Sequence, residues 1–212
     1  MASTGTGRVG RPREFDTDEA LERALEVFWE KGYEGASLSE LTGAMGITKT
    51  SMYAAFGNKE QLFRKVVERY TAGPASYGMR ALEEPTARRV SEALLHGAVR
   101  ATTRAEVPSG CLGVQSALTT GESGLPAREA LIDWRNDARV RLEERFERAQ
   151  TEGDLPKNQD PHGLAMFVMT VAYGIAVQAA SGRSSEELHG VADAALGAIG
   201  WPDSETNITH LS

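Results

Sequence analysis

The chain has 212 residues, 41% of them apolar and 25% charged, with a formal net charge of −7. That length allows one large domain or two small ones, and the balance argues against disordered and fibrous classes. No uninterrupted run of about 18 apolar residues occurs, and the opening MASTGTGRVGRPR lacks the apolar core of a secretory signal, so a cytosolic protein without a membrane segment is expected.

Charge is uneven along the chain. Residues 1–70 carry 10 Lys/Arg against 11 Asp/Glu, whereas residues 71–212 carry 13 against 19. The first part can therefore present a local basic face to an anion although the whole is acidic. The single cysteine, Cys111, rules out an intrachain disulfide and leaves no cysteine pair for zinc, and the four histidines are scattered. No structural or catalytic metal is expected.

Helical periodicity dominates, which predicts an all-α fold. In chain order, residues 1–15 form a flexible basic arm. The first helix starts at Asp16, with Glu19 three residues on as a capping-box partner. Leu21, Ala24, Leu25, Phe28 and Trp29 then make one apolar stripe, and Gly32 and Gly35 end the helix. Ser37 and Glu40 form a second capping box that opens a short helix burying Leu38, Leu41 and Met45. Gly46 can take the left-handed turn conformation, and Thr48 can cap a third helix running to about Ala55. Two short helices joined by a glycine turn make a helix-turn-helix. Asn58 with Gln61 caps a fourth helix carrying Leu62, Phe63, Val66, Val67 and Tyr70.

The stretch TAGPASYG, residues 71–78, breaks the pattern and divides a domain at 16–70 from one at 79–200. Helices are predicted near 80–105, 110–121, 126–151, 161–181 and 184–199, followed by a loose tail at 201–212.

In a helix-turn-helix the second helix lies in the major groove with its first residues toward base edges. Here those residues are Thr48, Lys49, Thr50 and Ser51. Lysine can donate to guanine N7 or O6, and threonine can meet a thymine methyl or donate to phosphate. Met52 and Phe56 point into the small core, leaving the polar side for DNA. Tyr53 can donate its hydroxyl to a phosphate, and Lys59 adds a cation beside exposed backbone N–H groups. From spacing alone, a solvated helical face remains open as an alternative.

The segment "GRPREFDTDEALERALEVFWEKGYEGASLSELTGAMGITKTSMYAAFGNKEQLFRKVVERY" resembles the N-terminal domain of the TetR family of bacterial repressors. The resemblance covers about 60 residues and rests on the aromatic first helix, the Gly-Tyr turn, "SLSELTGAMGI" and "SMYAAFGNKEQLF". It implies an all-helical homodimer with a DNA-reading head and a variable ligand-binding body that releases double-stranded operator DNA when occupied. Position by position, Ser37 and Thr48 resemble backbone contacts, Lys49 and Thr50 the base-proximal start of the recognition helix, and Tyr53 and Lys59 phosphate contacts. Many relatives have aromatic or histidine residues where this chain has Ala54 and Ala55, which implies fewer backbone contacts there. The arm GRVGRPR could place Arg11 or Arg13 in the minor groove, with a disordered leader as the alternative. Gly5 to Gly10 satisfy G-x-G-x-x-G, but only four residues precede Gly5, so the strand a dinucleotide site needs is missing.

In the body, the helix predicted at 161–181 is apolar nearly all round, which calls for cover on two sides. With the last helix, capped by Ser184 and Glu187, it resembles the family's dimer bundle; two core helices of a monomer are the alternative. For a small-molecule effector of unidentified chemistry, Trp134, Met166, Phe167 and Tyr173 supply apolar and aromatic surface, with Gln115 and Tyr173 as polar groups. The same residues could equally be plain core. Cys111 sits near a predicted helix N-terminus, where a lowered thiol pKa would suit an oxidation or electrophile switch; an inert packed thiol is the alternative. No strand-borne nucleophile or paired-carboxylate motif stands out, so neither catalysis nor a cofactor is expected. An all-helical interaction scaffold would share the body but has no use for the arrangement from Thr48 to Tyr53.

Overall fold

The computed structural model describes residues 15–105, 108–115 and 124–202. Arg11 and Arg13 of the arm, and most of the tail, lie outside these. Ten helices make up the described residues: α1 (Thr17–Gly35), α2 (Leu38–Met45), α3 (Lys49–Phe56), α4 (Lys59–Ala72), α5 (Ser76–Ala81), α6 (Ala87–Thr102), α7 (Leu112–Gln115), α8 (Leu125–Glu152), α9 (Pro161–Ala180) and α10 (Ser185–Ala198).

The first four helices begin where their capping residues dictate. The Asp16 carboxylate accepts from the amides of Asp18 and Glu19, satisfying two donors that the helix leaves unpaired. The reciprocal half of the expected box does not form, because the Glu19 side chain pairs with Arg23 instead. At α2 and α4 the boxes are complete: Ser37 with Glu40, and Asn58 with Gln61. Glu40 also accepts from Lys31 Nζ at 2.6 Å, joining α2 to α1. Two turn glycines are required by conformation. Gly46 ends α2 with φ 66 and Gly57 ends α3 with φ 77, a region side-chain-bearing residues rarely adopt. A Cβ at Gly57 would also fall 1.9 Å from the Gln61 side-chain oxygen.

Lys31 and the Ser37 hydroxyl and amide hold the Glu40 carboxyl down at about 2, from an ordinary 4.5. A depressed acid stabilises the fold above its unfolded pKa and stops doing so as pH falls through its folded one. The stability advantage of wild type over Glu40→Gln should therefore be full above about pH 4.5 and shrink toward nothing near pH 2. Urea midpoints measured across that range check it; an advantage independent of pH would refute the assignment.

The head core packs Ala24, Leu25, Phe28 and Trp29 of α1 against Leu41, Met52, Phe56, Leu62, Phe63 and Val66. It does not stop at the expected domain boundary. Cys111, Leu112, Val114, Ala127 and Leu131 belong to the same cluster, so the head rests directly on α7 and α8. The stretch expected as a linker at 71–78 is mostly helical: α4 runs to Ala72 and α5 starts at Ser76. The helix expected near 80–105 is two helices, broken before Thr86, which caps α6. Of the helix expected at 110–121, Leu112–Gln115 is described and the remainder lies outside.

The body is a bundle of α6, α8, α9 and α10 around Leu94, Leu95, Leu142, Phe146, Leu164, Val168, Ile175 and Leu188. Buried Arg145 donates to the carbonyls of Leu82 and Glu84, tying the α5–α6 connection to α8. His96 Nδ1 and His189 Nδ1, 2.7 Å apart, join α6 to α10. By length and composition α9 could cross a membrane, with a mean hydropathy of 1.7 over its most apolar window. Its inner face, with Leu164, Val168, Ala172, Ile175 and Ala179, instead packs inside the bundle. The outer face leaves Met166, Phe167, Thr170 and Val177 exposed, and α10 adds Val191 beside Ala194.

Candidate nucleic-acid interface and body cavity

α3 is fixed by its ends and its greasy side. Thr48 Oγ1 accepts from the Ser51 amide at 3.1 Å, while Met52 and Phe56 are buried in the head. The opposite side exposes Thr48, Lys49, Thr50 and Tyr53, the last 50% exposed. Lys49 forms no ion pair among the described residues, which leaves its ammonium free for an external anion. These groups form one contiguous donor surface at the start of a helix, where positive backbone dipoles add to the lysine charge.

The remaining predicted contacts are more constrained. Ser37 Oγ bonds the Glu40 carboxylate at 2.7 Å and accepts the Glu40 amide, so it is engaged in its own cap. Ser51 is half-buried, its hydroxyl 3.0 Å from that of Thr48. Lys59 is half-buried with its Nζ 4.5 Å from the Tyr33 ring centroid, and burial lowers its pKa. Tyr33, which the spacing did not single out, thus orients this cation.

A second feature is a cavity of about 100 Å³ where the end of α4 and α5 meet α8 and α9. Cys111, Trp134 and Tyr173 line it, together with Thr71, Tyr77 and Met169. Thr71 and Tyr77 fall in the glycine- and proline-containing stretch 71–78, whose composition signals a linker rather than a cavity wall. Two predicted ligand residues are elsewhere: Met166 and Phe167, 45% and 40% exposed, face outward on α9 and do not line the cavity. Phe167 lies on another side of α9 from Met169 and Tyr173, and Met166, on their side, lies nearer the start of the helix than the cavity reaches. The side chain of Gln115 lies outside the described residues.

Trp134 Nε1 donates to Thr71 Oγ1 at 2.8 Å, and its ring lies against Gly113, where a Cβ would come within 2.5 Å. The Tyr70 hydroxyl donates to Cys111 Sγ at 3.2 Å. Both bonds run from the last turn of α4 to the body. Cys111 is buried, and burial pushes its thiol pKa up; the Tyr70 hydroxyl, the Val114 and Gly113 amides and Arg135 oppose this without reversing it. The expected activation is therefore corrected by burial: the thiol is a packed, protonated group. Burial likewise raises the pKa of Tyr173, whose hydroxyl is buried without a hydrogen-bond partner among the described residues. Among the described residues no cluster of three metal-ligating side chains occurs.

Residues 20–66 match the family model of bacterial regulatory proteins of the tetR family, and residues 87–195 that of the tetracyclin repressor-like C-terminal domain. The chain is 30% identical over 196 residues to the HTH-type transcriptional repressor ComR of Escherichia coli, covering 92% of each protein. It is 29% identical over 189 residues to the repressor BdcR of the same species, covering 89% of this chain and 91% of BdcR. Among solved structures, the regulator CifR, as a cysteine mutant complexed with 26-bp double-strand operator DNA, is 43% identical with a TM-score of 0.85, over 91% of this chain and 100% of that one. The helix-turn-helix head, the helical body and these matches along nearly the whole length make the chain a member of the TetR family of transcriptional regulators.

Proposed function

We propose that the protein represses transcription in the cytoplasm by binding a roughly palindromic operator as a homodimer, and that a small molecule in the body cavity releases it. The observation that carries the DNA reading is the exposed start of α3, with Lys49 unpaired and Thr50 and Tyr53 beside it on a rigidly packed helix. ComR and BdcR are named repressors, and CifR was solved on operator DNA, which supports the same role here. Lys49 and Thr50 contact base edges, while Tyr53, Lys59 and the hydroxyls of Ser37, Thr48 and Ser51 meet the backbone. Arg11 and Arg13 extend the contact into the adjacent minor groove. The protein carries out no catalytic step in this reading.

Release acts through α4. The bonds from Trp134 to Thr71 and from Tyr70 to Cys111 set how the last turn of α4 sits on the body, and both lie at the cavity. A ligand that fits only when those bonds rearrange favours the conformer in which the two heads no longer match successive major grooves, about 34 Å apart. Footprinting on DNA flanking the gene should show a two-fold symmetric protected site. Affinity for it should fall steeply with salt, as phosphate contacts require. Absent protection, or salt-insensitive binding, would overturn the repressor reading.

A further inference from the structure

The end of α1 is not regular helix. Gly32 stands at φ 69 and ψ 175, in a region that a residue with a Cβ rarely adopts. In an unbroken helix Tyr33, five residues after Phe28, would point about 140° round the axis from it. The break instead turns the Tyr33 ring back onto the core. It stacks on Phe28 with centroids 6.0 Å apart and planes inclined by 6°, and meets Phe63 edge-on at 5.1 Å. Phe28 and Phe63 are fully buried, so the ring is held from two sides.

Lys59 reaches that ring because it shares a side of α4 with Phe63, at i and i+4. Its Nζ lies 4.5 Å from the Tyr33 centroid, close enough for the negative face of the ring to attract the ammonium. The side chain is half-buried; burial lowers its pKa, and the charge of Glu34 opposes this. A surface lysine otherwise samples many rotamers, and a contact that fixes one of them beforehand removes the ordering cost from binding. The ring takes one side of an ammonium that has three N–H groups, which leaves donors for a phosphate oxygen at the start of α4.

We propose that Tyr33 is a positioning residue for DNA binding: turned inward at Gly32 and wedged between Phe28 and Phe63, its ring holds the Lys59 ammonium where an operator phosphate meets α4. This rests on the reading of the chain as an operator-binding repressor with Lys59 on the DNA backbone, and adds the residue that prepares that contact.

The test is a double-mutant cycle in the full chain, read by gel shift on the footprinted site. Tyr33→Leu is expected to weaken binding about fivefold, and alike for all sequences, which is the cost of ordering one lysine at an interface. Tyr33→Phe keeps the ring and should bind within about twofold of wild type. Lys59→Ala should weaken binding and lower the salt slope by about 0.9, as loss of one phosphate contact requires. With Lys59→Ala already present, Tyr33→Leu should have no further effect, whereas a ring that only supported the head core would weaken binding equally in both backgrounds. Without DNA, nuclear magnetic resonance should show the Lys59 ε-methylene protons shifted upfield by the ring in wild type and Tyr33→Phe, and unshifted in Tyr33→Leu. Equal losses from Tyr33→Leu with and without Lys59, an equal loss in Tyr33→Phe, or unshifted Lys59 protons in wild type would overturn the proposal. If Lys59→Ala keeps full affinity and salt slope in a chain that protects its operator, the positioning role falls and the repressor reading stands. A chain that protects no DNA ends both.

Discussion

Lys49→Ala and Tyr53→Phe made together are expected to lower affinity for the natural operator about a hundredfold, with the fold unchanged. A lysine reading a guanine edge contributes about 1–3 kcal/mol of discrimination, and a hydrogen bond to phosphate about 1 kcal/mol. Both side chains are exposed, so removing their polar ends leaves no buried group unsatisfied. What holds α3 in place, the Thr48 cap and the buried Met52 and Phe56, is untouched. The two changes should also separate by symptom. Loss of Lys49 should relax base preference at one operator position, whereas loss of the Tyr53 hydroxyl should weaken binding to all sequences alike. Lys59→Ala should cost less than Lys49→Ala, because Lys59 is already held against the Tyr33 ring. Gel shifts at fixed salt, with circular dichroism as the folding control, decide the matter. Intact affinity in a folded double variant would mean that α3 does not read DNA.

The head was legible because its information is local. Caps at Asp16, Ser37, Thr48 and Asn58 are fixed by residues within three positions of one another, and the turn at Gly46 by a single backbone conformation. The body's site was less so, because contacts far apart in sequence decide it. Gly97 of α6 accommodates Tyr77, where a Cβ would come within 2.6 Å of that ring. That pairing draws the supposed linker into the core, yet neither residue signals it alone. In the same way, nothing near Cys111 in sequence announces that Tyr70, 41 residues earlier, donates to its sulfur. On α9 the difficulty was different. A helix apolar all round gives no periodic signal for which side faces inward, and Met166, although one stripe with Tyr173 at i, i+7, lies two turns nearer the start of α9, where it is exposed and outside the cavity, as is Phe167.

That outward side motivates the second large effect. Phe167 on α9 and Val191 on α10 are 40% and 48% exposed, and Val177 and Met166 extend the same apolar surface. Small residues between them, Gly174 on α9 and Gly190, Ala194 and Gly197 on α10, allow another pair of helices to approach closely. Placing aspartate at both Phe167 and Val191 buries two charges per subunit if the surfaces meet in a dimer, and costs little in a monomer because both sites already face water. Light scattering should therefore report a single-chain mass for Phe167→Asp with Val191→Asp, with an unchanged helical content. Operator affinity should fall by about 100-fold or more, since one head bound to a half-site no longer holds the second nearby at high effective concentration. The Hill slope and the salt slope should fall together, because half the phosphate contacts are lost with the second head. Coupling the subunits again through a fused linker should restore part of the affinity without restoring the buried surface. A double variant that stays dimeric would place the subunit interface elsewhere on the body. One that turns monomeric yet keeps full operator affinity would show that each head binds alone, and would remove the geometric basis for release by the cavity.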